Sequence, residues 1–257
     1  MNHSDFEETY QSWNQKAQDW DIQVGDFGDR NRILNSDPVL WQFVGDVNGR
    51  TALDAGCGTG YLSRQLCRKG AIVTGVDFSP KMLAIAQQKA QAEGLAIDFR
   101  EDSCSELKTL PDKHFDTLIS NYVLMDLPDL EGAMLAFYRV LKPGGIAVLV
   151  FSHPCFSQGE AATMNDDRSI IYQWKESYFV RQKRQEQPWK HFTSSFIWFH
   201  RPLSDYWKAF KFAGFDVIEF EEPRLTADRA NLANTEQELF KCQTLPYSIA
   251  FKLLKPS

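Results

Sequence analysis

The sequence predicts a doubly wound α/β fold: a mostly parallel seven-stranded sheet, an N-terminal helical lid and an inserted β-rich cap. Three observations lead there. Between residues 51 and 152, apolar runs of strand length alternate with helical stretches and short links, the rhythm of a parallel sheet covered on both faces. Residues 153–200 break that rhythm with aromatic and basic residues in partial alternation. From 201 onwards the helix-and-strand pattern returns.

Residues 1–50 form the expected lid. They carry Trp13, Trp20, Phe27 and Trp41 on helical stretches, with breaks expected at Gly25, Gly28 and Pro38. The core spans 51–152 and 201–257. Its first five strands are placed at 51–54, 71–77, 97–101, 115–120 and 146–152. A helix over 61–69 ends at Gly70, a natural left-handed cap. The next, over 79–93, opens with Ser79 as N-cap and Pro80 at the first helical position, and closes at Gly94. A third, over 129–141, starts after Pro128 and stops at the turn Lys142-Pro143-Gly144-Gly145. After the cap come a helix over 203–213, a strand over 215–221, a polar excursion and a final strand over 247–254. Within the cap, alternation at 177–183 and 192–200 predicts strands.

Composition narrows the function. The 257 residues are 43% hydrophobic and 24% charged, ordinary for a soluble globular protein. A net charge of -6 and a pI near 5.4 argue against a broad nucleic-acid footprint. Between Arg168 and Lys211, nine Lys or Arg face three Asp or Glu, which suits a solvated cap face or attraction of an acidic acceptor. No apolar stretch resembles a signal peptide or a membrane span. Cys57, Cys67, Cys104, Cys155 and Cys242 are scattered and form no C-x-x-C pair, so no metal site is expected and a reduced, cytoplasmic setting fits.

The strongest chemical signal is LDAGCGTG at residues 53–60, between the first strand and its helix. Glycines at alternate positions, Gly56, Gly58 and Gly60, let the backbone turn tightly and approach a ligand closely. Asp77 ends the second strand, where a carboxylate can accept both ribose hydroxyls of a nucleoside. Asp102 and Ser103 follow the third strand, within reach of an adenine edge. A dinucleotide is the rival ligand. The G-x-G-x-G spacing and the carboxylate of Asp54 tell against it, because a pyrophosphate sits badly beside Asp54 whereas the ammonium and sulfonium of S-adenosylmethionine sit well.

With these residues in view, the segments LDAGCGTG, GVDFSPKML, EDS, FDTLISNYVLMDL and RVLKPGG resemble, in order, the motifs of class I S-adenosylmethionine-dependent methyltransferases. The chain is most similar to the small-molecule branch that includes ubiquinone- and menaquinone-biosynthesis enzymes, and Trp13, Ala17, Trp20 and Asp21 resemble that branch's lid signature. The segments 152–156 and 200–204 resemble elements of bacterial members. The resemblance implies a Rossmann-like methyltransferase fold and S-adenosyl-L-methionine as cofactor, with S-adenosyl-L-homocysteine as product. It places the cofactor on Gly56, Gly58, Gly60, Asp77, Phe78, Met82, Asp102, Ser103 and Asn121. Trp20, Asp54 and Arg32 are further candidate cofactor contacts, Arg32 and its neighbour Arg30 as a grip on the cofactor carboxylate or as part of a solvated loop. The segment after the fourth strand lacks the N-P-P-[YF] sequence of adenine and amide methylases, which lowers nucleic acid and glutamine as acceptors.

The reaction implied is in-line methyl transfer to O, N or C of a small organic molecule, with RNA or protein methylation and a non-catalytic or dinucleotide-binding role as alternatives. His153, directly after the fifth strand, and His200 are candidate bases, and the structural reading of each outweighs that role. Trp13, Tyr122, Asp126 and Trp198 are candidate acceptor contacts. Trp174 and Trp189 read as cap core, and His3 and His191 as surface residues. A monomer or homodimer is expected.

Overall fold

The computed structural model describes residues 3–156, 159–162, 171–174 and 176–257, with side chains at 4–156 and 176–257. His3 and Trp174 therefore lie outside the described side chains, as does part of the expected cap. The chain opens with helix α1 (His3–Val24), a π-helical turn (Arg32–Ser36) and α2 (Asp37–Val44). It continues through β1 (Thr51–Ala55), α3 (Tyr61–Arg68), β2 (Ile72–Asp77), α4 (Pro80–Ala92), β3 (Ile97–Glu101), β4 (Phe115–Asn121), α5 (Leu130–Val140) and β5 (Leu141–Ser152). The two hairpins β6 (Gly159–Ala162) with β7 (Ile171–Trp174), and β8 (Gln182–Glu186) with β9 (Phe196–His200), follow. Then come α6 (Leu203–Ala213), β10 (Asp216–Glu221), a 3₁₀ turn (Ala227–Leu232), α7 (Glu236–Thr244) and β11 (Ser248–Leu254).

Seven strands form the central sheet in the order β10-β11-β5-β4-β1-β2-β3. β1 to β5 pair in parallel, whereas β11 runs antiparallel between β5 and β10. The strand order reverses between β1 and β4, and there the parallel strands bring their carboxyl ends to one crevice. β5 shows why its sequence is an unbroken apolar run. Ala147, Leu149 and Phe151 face one core with α5 and α6, while Val148 and Val150 face the other with α2 and α3. Phe151 is fully buried and stacks on Tyr206 with centroids 4.4 Å apart, so Phe151→Ala is expected to cost about 3–5 kcal/mol.

Local chemistry sets the helix boundaries. Ser79 accepts a hydrogen bond from the Met82 N–H and Asp129 one from the Gly132 N–H, which caps α4 and α5. Gly214, at φ 101°, closes α6.

The structure differs from expectation at five places, the first being that β5 starts at Leu141 and takes in the expected turn Lys142-Pro143-Gly144-Gly145 as an irregularity in its pairing with β4. Pro38 opens α2 instead of breaking a helix, because Pro at the first turn lacks only an N–H that the helix leaves unpaired anyway. β9 begins at Phe196, not 192. The residues before it are drawn to α1, where Thr193 donates to the Asp19 carboxylate and His191 to the Asp19 carbonyl. β8 begins at Gln182, late in the alternating stretch. The polar excursion contains α7, which Thr235 caps from the Glu238 N–H. Thr235-x-x-Glu238 is the sequence signature that announces such a start.

Candidate active site

The glycine loop runs between β1 and α3, and its three glycines do different work. All have positive φ. A Cβ on Gly58 would lie 3.3 Å from the Trp20 indole nitrogen, so this is where α1 closes over the loop. A Cβ on Gly56 would meet Val123 at 2.3 Å, which makes this glycine a requirement of the β4 edge. Gly60 faces Ala86 and Phe99, so it serves packing of the loop on α4 and β3.

Around the loop is a narrow cleft of about 70 Å³ lined by Trp13, Trp20, Arg32, Asp54, Gly56, Gly58, Asp77, Phe78, Met82, Asn121, Tyr122 and Asp126. Nine of the twelve residues expected at the cofactor thus share one cleft, at the carboxyl ends of the parallel strands. The other three do not line it. Gly60 packs as described. Both oxygens of Asp102 are engaged by the Ser103 N–H and by the N–H and hydroxyl of Thr109, and the Ser103 hydroxyl accepts from the Ser105 N–H. That turn satisfies itself locally.

The electrostatics of the cleft are those of stressed carboxylates. Asp77 accepts from the N–H groups of Gly58 and Ser79 at 2.9 Å each, yet burial pushes its carboxyl up to about 6. Asp54 is raised to about 7 by burial, although the Ser63 hydroxyl donates to it at 2.6 Å. Two buried atoms bordering the cleft have no hydrogen-bond partner among the described residues: Arg32 Nε, a donor, and Asn121 Oδ1, an acceptor. Arg32 is otherwise fixed. It pairs with Asp29 at 2.7 Å, and its guanidinium carbon lies 5.1 Å from the Trp20 ring centroid and 4.5 Å from that of Tyr122. Arg30, its neighbour, is committed to Glu238 and the Leu232 carbonyl. Burial pushes the thiols of Cys57 and Cys104 well up, which keeps them protonated and inert.

A second cavity of about 1220 Å³ opens beside the cleft, sharing Trp13, Trp20, Arg32, Tyr122 and Asp126 with it. All four residues expected at the acceptor line it: Trp13, Tyr122, Asp126 and Trp198. Tyr122 sits at φ 58°, a strained conformation for an aromatic residue. Its hydroxyl bonds to Ser248 and accepts from Asn31. Asp126 has its carboxyl pushed well above the usual range by burial, a shift that Lys16 opposes and Glu186 reinforces. Lys16 in turn is pulled down to about 8 by burial.

The two candidate bases part company. His153 lines neither cavity: its Nε2 meets Glu222 at 2.9 Å and its Nδ1 accepts from the Cys155 N–H. Both ring nitrogens are spent inside the fold, and burial lowers its pKa. His200 does line the large cavity. Its Nε2 donates to the Tyr178 carbonyl at 2.7 Å, leaving Nδ1 without a partner. Residues that sequence reasoning missed include Tyr61, whose hydroxyl accepts from Asn121, and Glu186, Trp189 and Phe196 of the cavity wall. Glu186 and Phe196 come from a hairpin whose placement no local pattern encodes.

Among the described residues, no helix is long and apolar enough to cross a membrane, and no group of three His, Cys, Asp or Glu is placed to hold a metal ion. Residues 53–149 match the methyltransferase domain family. A demethylmenaquinone methyltransferase from Tropheryma whipplei is 39% identical over 114 residues, 44% of this chain and 46% of that protein. A ubiquinone biosynthesis O-methyltransferase from Pseudomonas paraeruginosa is 35% identical over 97 residues, 38% of this chain and 42% of that protein. The chain thus spans about half the length of the relatives it matches. An S-adenosylmethionine-dependent methyltransferase from Mesorhizobium loti shares the fold, with a TM-score of 0.71 and 24% identity over 84% of this chain and 96% of that one. The glycine loop and Asp77 lie within the matched segment, which is similar to a methyltransferase domain, and the sheet order is built around it.

Proposed function

We propose that this protein transfers the methyl group of S-adenosylmethionine to a small organic acceptor held in the large cavity. The observation that carries the reading is the lining of the narrow cleft. An unpartnered donor, Arg32 Nε, and an unpartnered acceptor, Asn121 Oδ1, suit the carboxylate and ammonium of an amino-acid end. Asp77, at the tip of β2, has lone pairs left for the two ribose hydroxyls, with Phe78 and Met82 as apolar flank. Asp54 adds negative charge near the glycine loop, which favours a cationic ligand over a pyrophosphate. When bound, the cofactor supplies an activated methyl group. The protein's own tasks are alignment and exclusion of water.

Residues 1–50 act as a lid, 153–200 as an acceptor cap, and 51–152 with 201–257 as the cofactor core. α1 lies closed over the loop: Phe6 and Tyr10 approach Phe78 with centroids about 6 Å apart, and Lys183 of β8 pairs with Asp5 and Glu8. A cleft of about 70 Å³ is below the roughly 300–1,000 Å³ of ordinary ligand pockets, so α1 has to withdraw to admit the cofactor. The relatives named for demethylmenaquinone methylation and ubiquinone biosynthesis agree with a small-molecule acceptor. Calorimetry with S-adenosylhomocysteine and with NAD tests the reading. Binding of the first and not the second is expected, with slowed hydrogen exchange in α1 on binding. Binding of NAD alone refutes it.

A further inference from the structure

The carboxyl groups of the acceptor cavity carry an inference that deepens the methyltransferase reading and rests on it. Four Lys or Arg side chains line the cavity, and each is engaged inside the protein, with only Arg32 Nε left free, at the border shared with the narrow cleft. Arg30 pairs with Glu238 and Arg32 with Asp29, Arg201 donates to the carbonyls of Leu124, Leu127 and Pro128, and Lys190 lies 5.1 Å over the Trp189 ring. Among the carboxylates, Asp26 is held by Arg64 and Lys89. Asp126 and Glu186 are different: among the described residues neither has an ion-pair partner within 4.0 Å. Lys16 and Arg32 act on Asp126 only at longer range, and Glu186 has the neutral Trp198 indole beside it, with Arg184 farther off. The third acceptor is His200 Nδ1, unpartnered on a side chain only 2% exposed. The faces of Trp13, Trp189, Trp198 and Phe196 stand around them.

Two carboxyl groups without an ion-pair partner offer an anion no counter-charge and lose further free energy whenever they ionise beside a neutral alcohol. A cation with N–H donors lets both ionise and is held by them as counter-charges. We infer that the acceptor is an amine on an apolar or aromatic body, bound as its ammonium, and that Asp126 takes the proton that must leave before methylation.

Asp126 suits that step because it lines both the narrow cleft and the large cavity, where the methyl group has to cross. An N–H bond of the ammonium breaks, its electron pair stays on nitrogen and the proton passes to an Asp126 oxygen. The freed pair forms the N–CH₃ bond while the C–S pair returns to sulfur, so the positive charge ends on the methylated nitrogen. A carboxyl raised by burial is a stronger base than an exposed one.

The test uses three probes that share an indole ring and differ in head group: tryptamine, tryptophol and indole-3-acetate. Each is titrated calorimetrically into the full chain loaded with S-adenosylhomocysteine. Tryptamine should bind at least about tenfold more tightly than tryptophol, the scale of one hydrogen bond to a charged group, and indole-3-acetate most weakly. Glu186→Gln and Asp126→Asn should each remove most of that preference, and Glu186→Gln should keep its S-adenosylhomocysteine affinity. Tryptamine binding that is absent, or no tighter than that of tryptophol, overturns the amine assignment, as does preference for indole-3-acetate. A chain that binds no S-adenosylhomocysteine overturns the underlying methyl-transfer reading instead.

Discussion

Asp77→Asn separates a residue that binds from one that merely builds. Asp77 is 6% exposed, and its carboxyl is raised from 3.8 to about 6. That rise of about two units corresponds to about 3 kcal/mol by which burial disfavours the charged form at neutral pH. Asparagine is nearly isosteric and carries no charge to desolvate, so this cost disappears. Against it stands the loss of one acceptor: Asp77 receives the N–H groups of Gly58 and Ser79 on different oxygens, and an amide can accept at only one of them. Facing an N–H with an amide NH₂ costs about 1–3 kcal/mol. The two effects nearly cancel, and the free variant should melt within a few degrees of the parent. Ligand affinity has no such compensation. The ribose hydroxyls lose a charged acceptor, and S-adenosylhomocysteine should bind about 1.5–3 kcal/mol more weakly, roughly 10- to 150-fold. Calorimetry and thermal melting on the same samples read both quantities. Unchanged affinity, or a fall in stability of several kcal/mol, would refute the argument, because Asp77 would then serve only the loop.

Three further outcomes follow from the geometry. Gly58→Val combines a β-branched side chain with φ 52° and a clash against Trp20, so the folded variant should lose S-adenosylhomocysteine binding while its far-ultraviolet circular dichroism stays native; retained binding would mean that the loop does not contact the ligand. Asp54 and Asp77, raised to about 7 and about 6, hold protons in the free protein that a cationic ligand expels. Affinity should therefore climb as pH rises through 6 to 7, with proton release visible as a buffer-dependent binding enthalpy. The contribution of the same groups to stability of the free chain runs the other way, falling as pH rises from about 4 to 7, because the folded state binds more protons there. His153→Asn should lower stability by about 1–2 kcal/mol through its bonds to Glu222 and Cys155, leaving ligand affinity intact; a selective loss of turnover in a fully stable variant would restore it as a base.

How much of this was legible beforehand varies with the range of the interaction. The core strands, the caps at Ser79 and Gly214 and the glycine loop were all readable, because each is set by residues within a few positions of one another. Asp77 could be placed at the crevice because parallel strands with right-handed crossovers leave little choice about where their carboxyl ends meet, whereas Asn121 was placed by the resemblance. Asp102 and His153 show the limit. Both follow strand ends as the pattern requires, yet Thr109 and Glu222 draw their side chains into bonds of their own.

The sequence by itself therefore determined the layer order, the parallel core and the edge at which a nucleoside cofactor belongs, since periodicity and turn chemistry are local properties. Only the tertiary structure decided which glycine meets α1, which histidine keeps a free nitrogen, and that Asp126 and Glu186 share one cavity. Those facts depend on the docking of α1 and the β8–β9 hairpin against the strand ends. That docking is set by side-chain contacts between segments as far apart as Asp5 and Lys183 or Asp19 and Thr193, which no local pattern records.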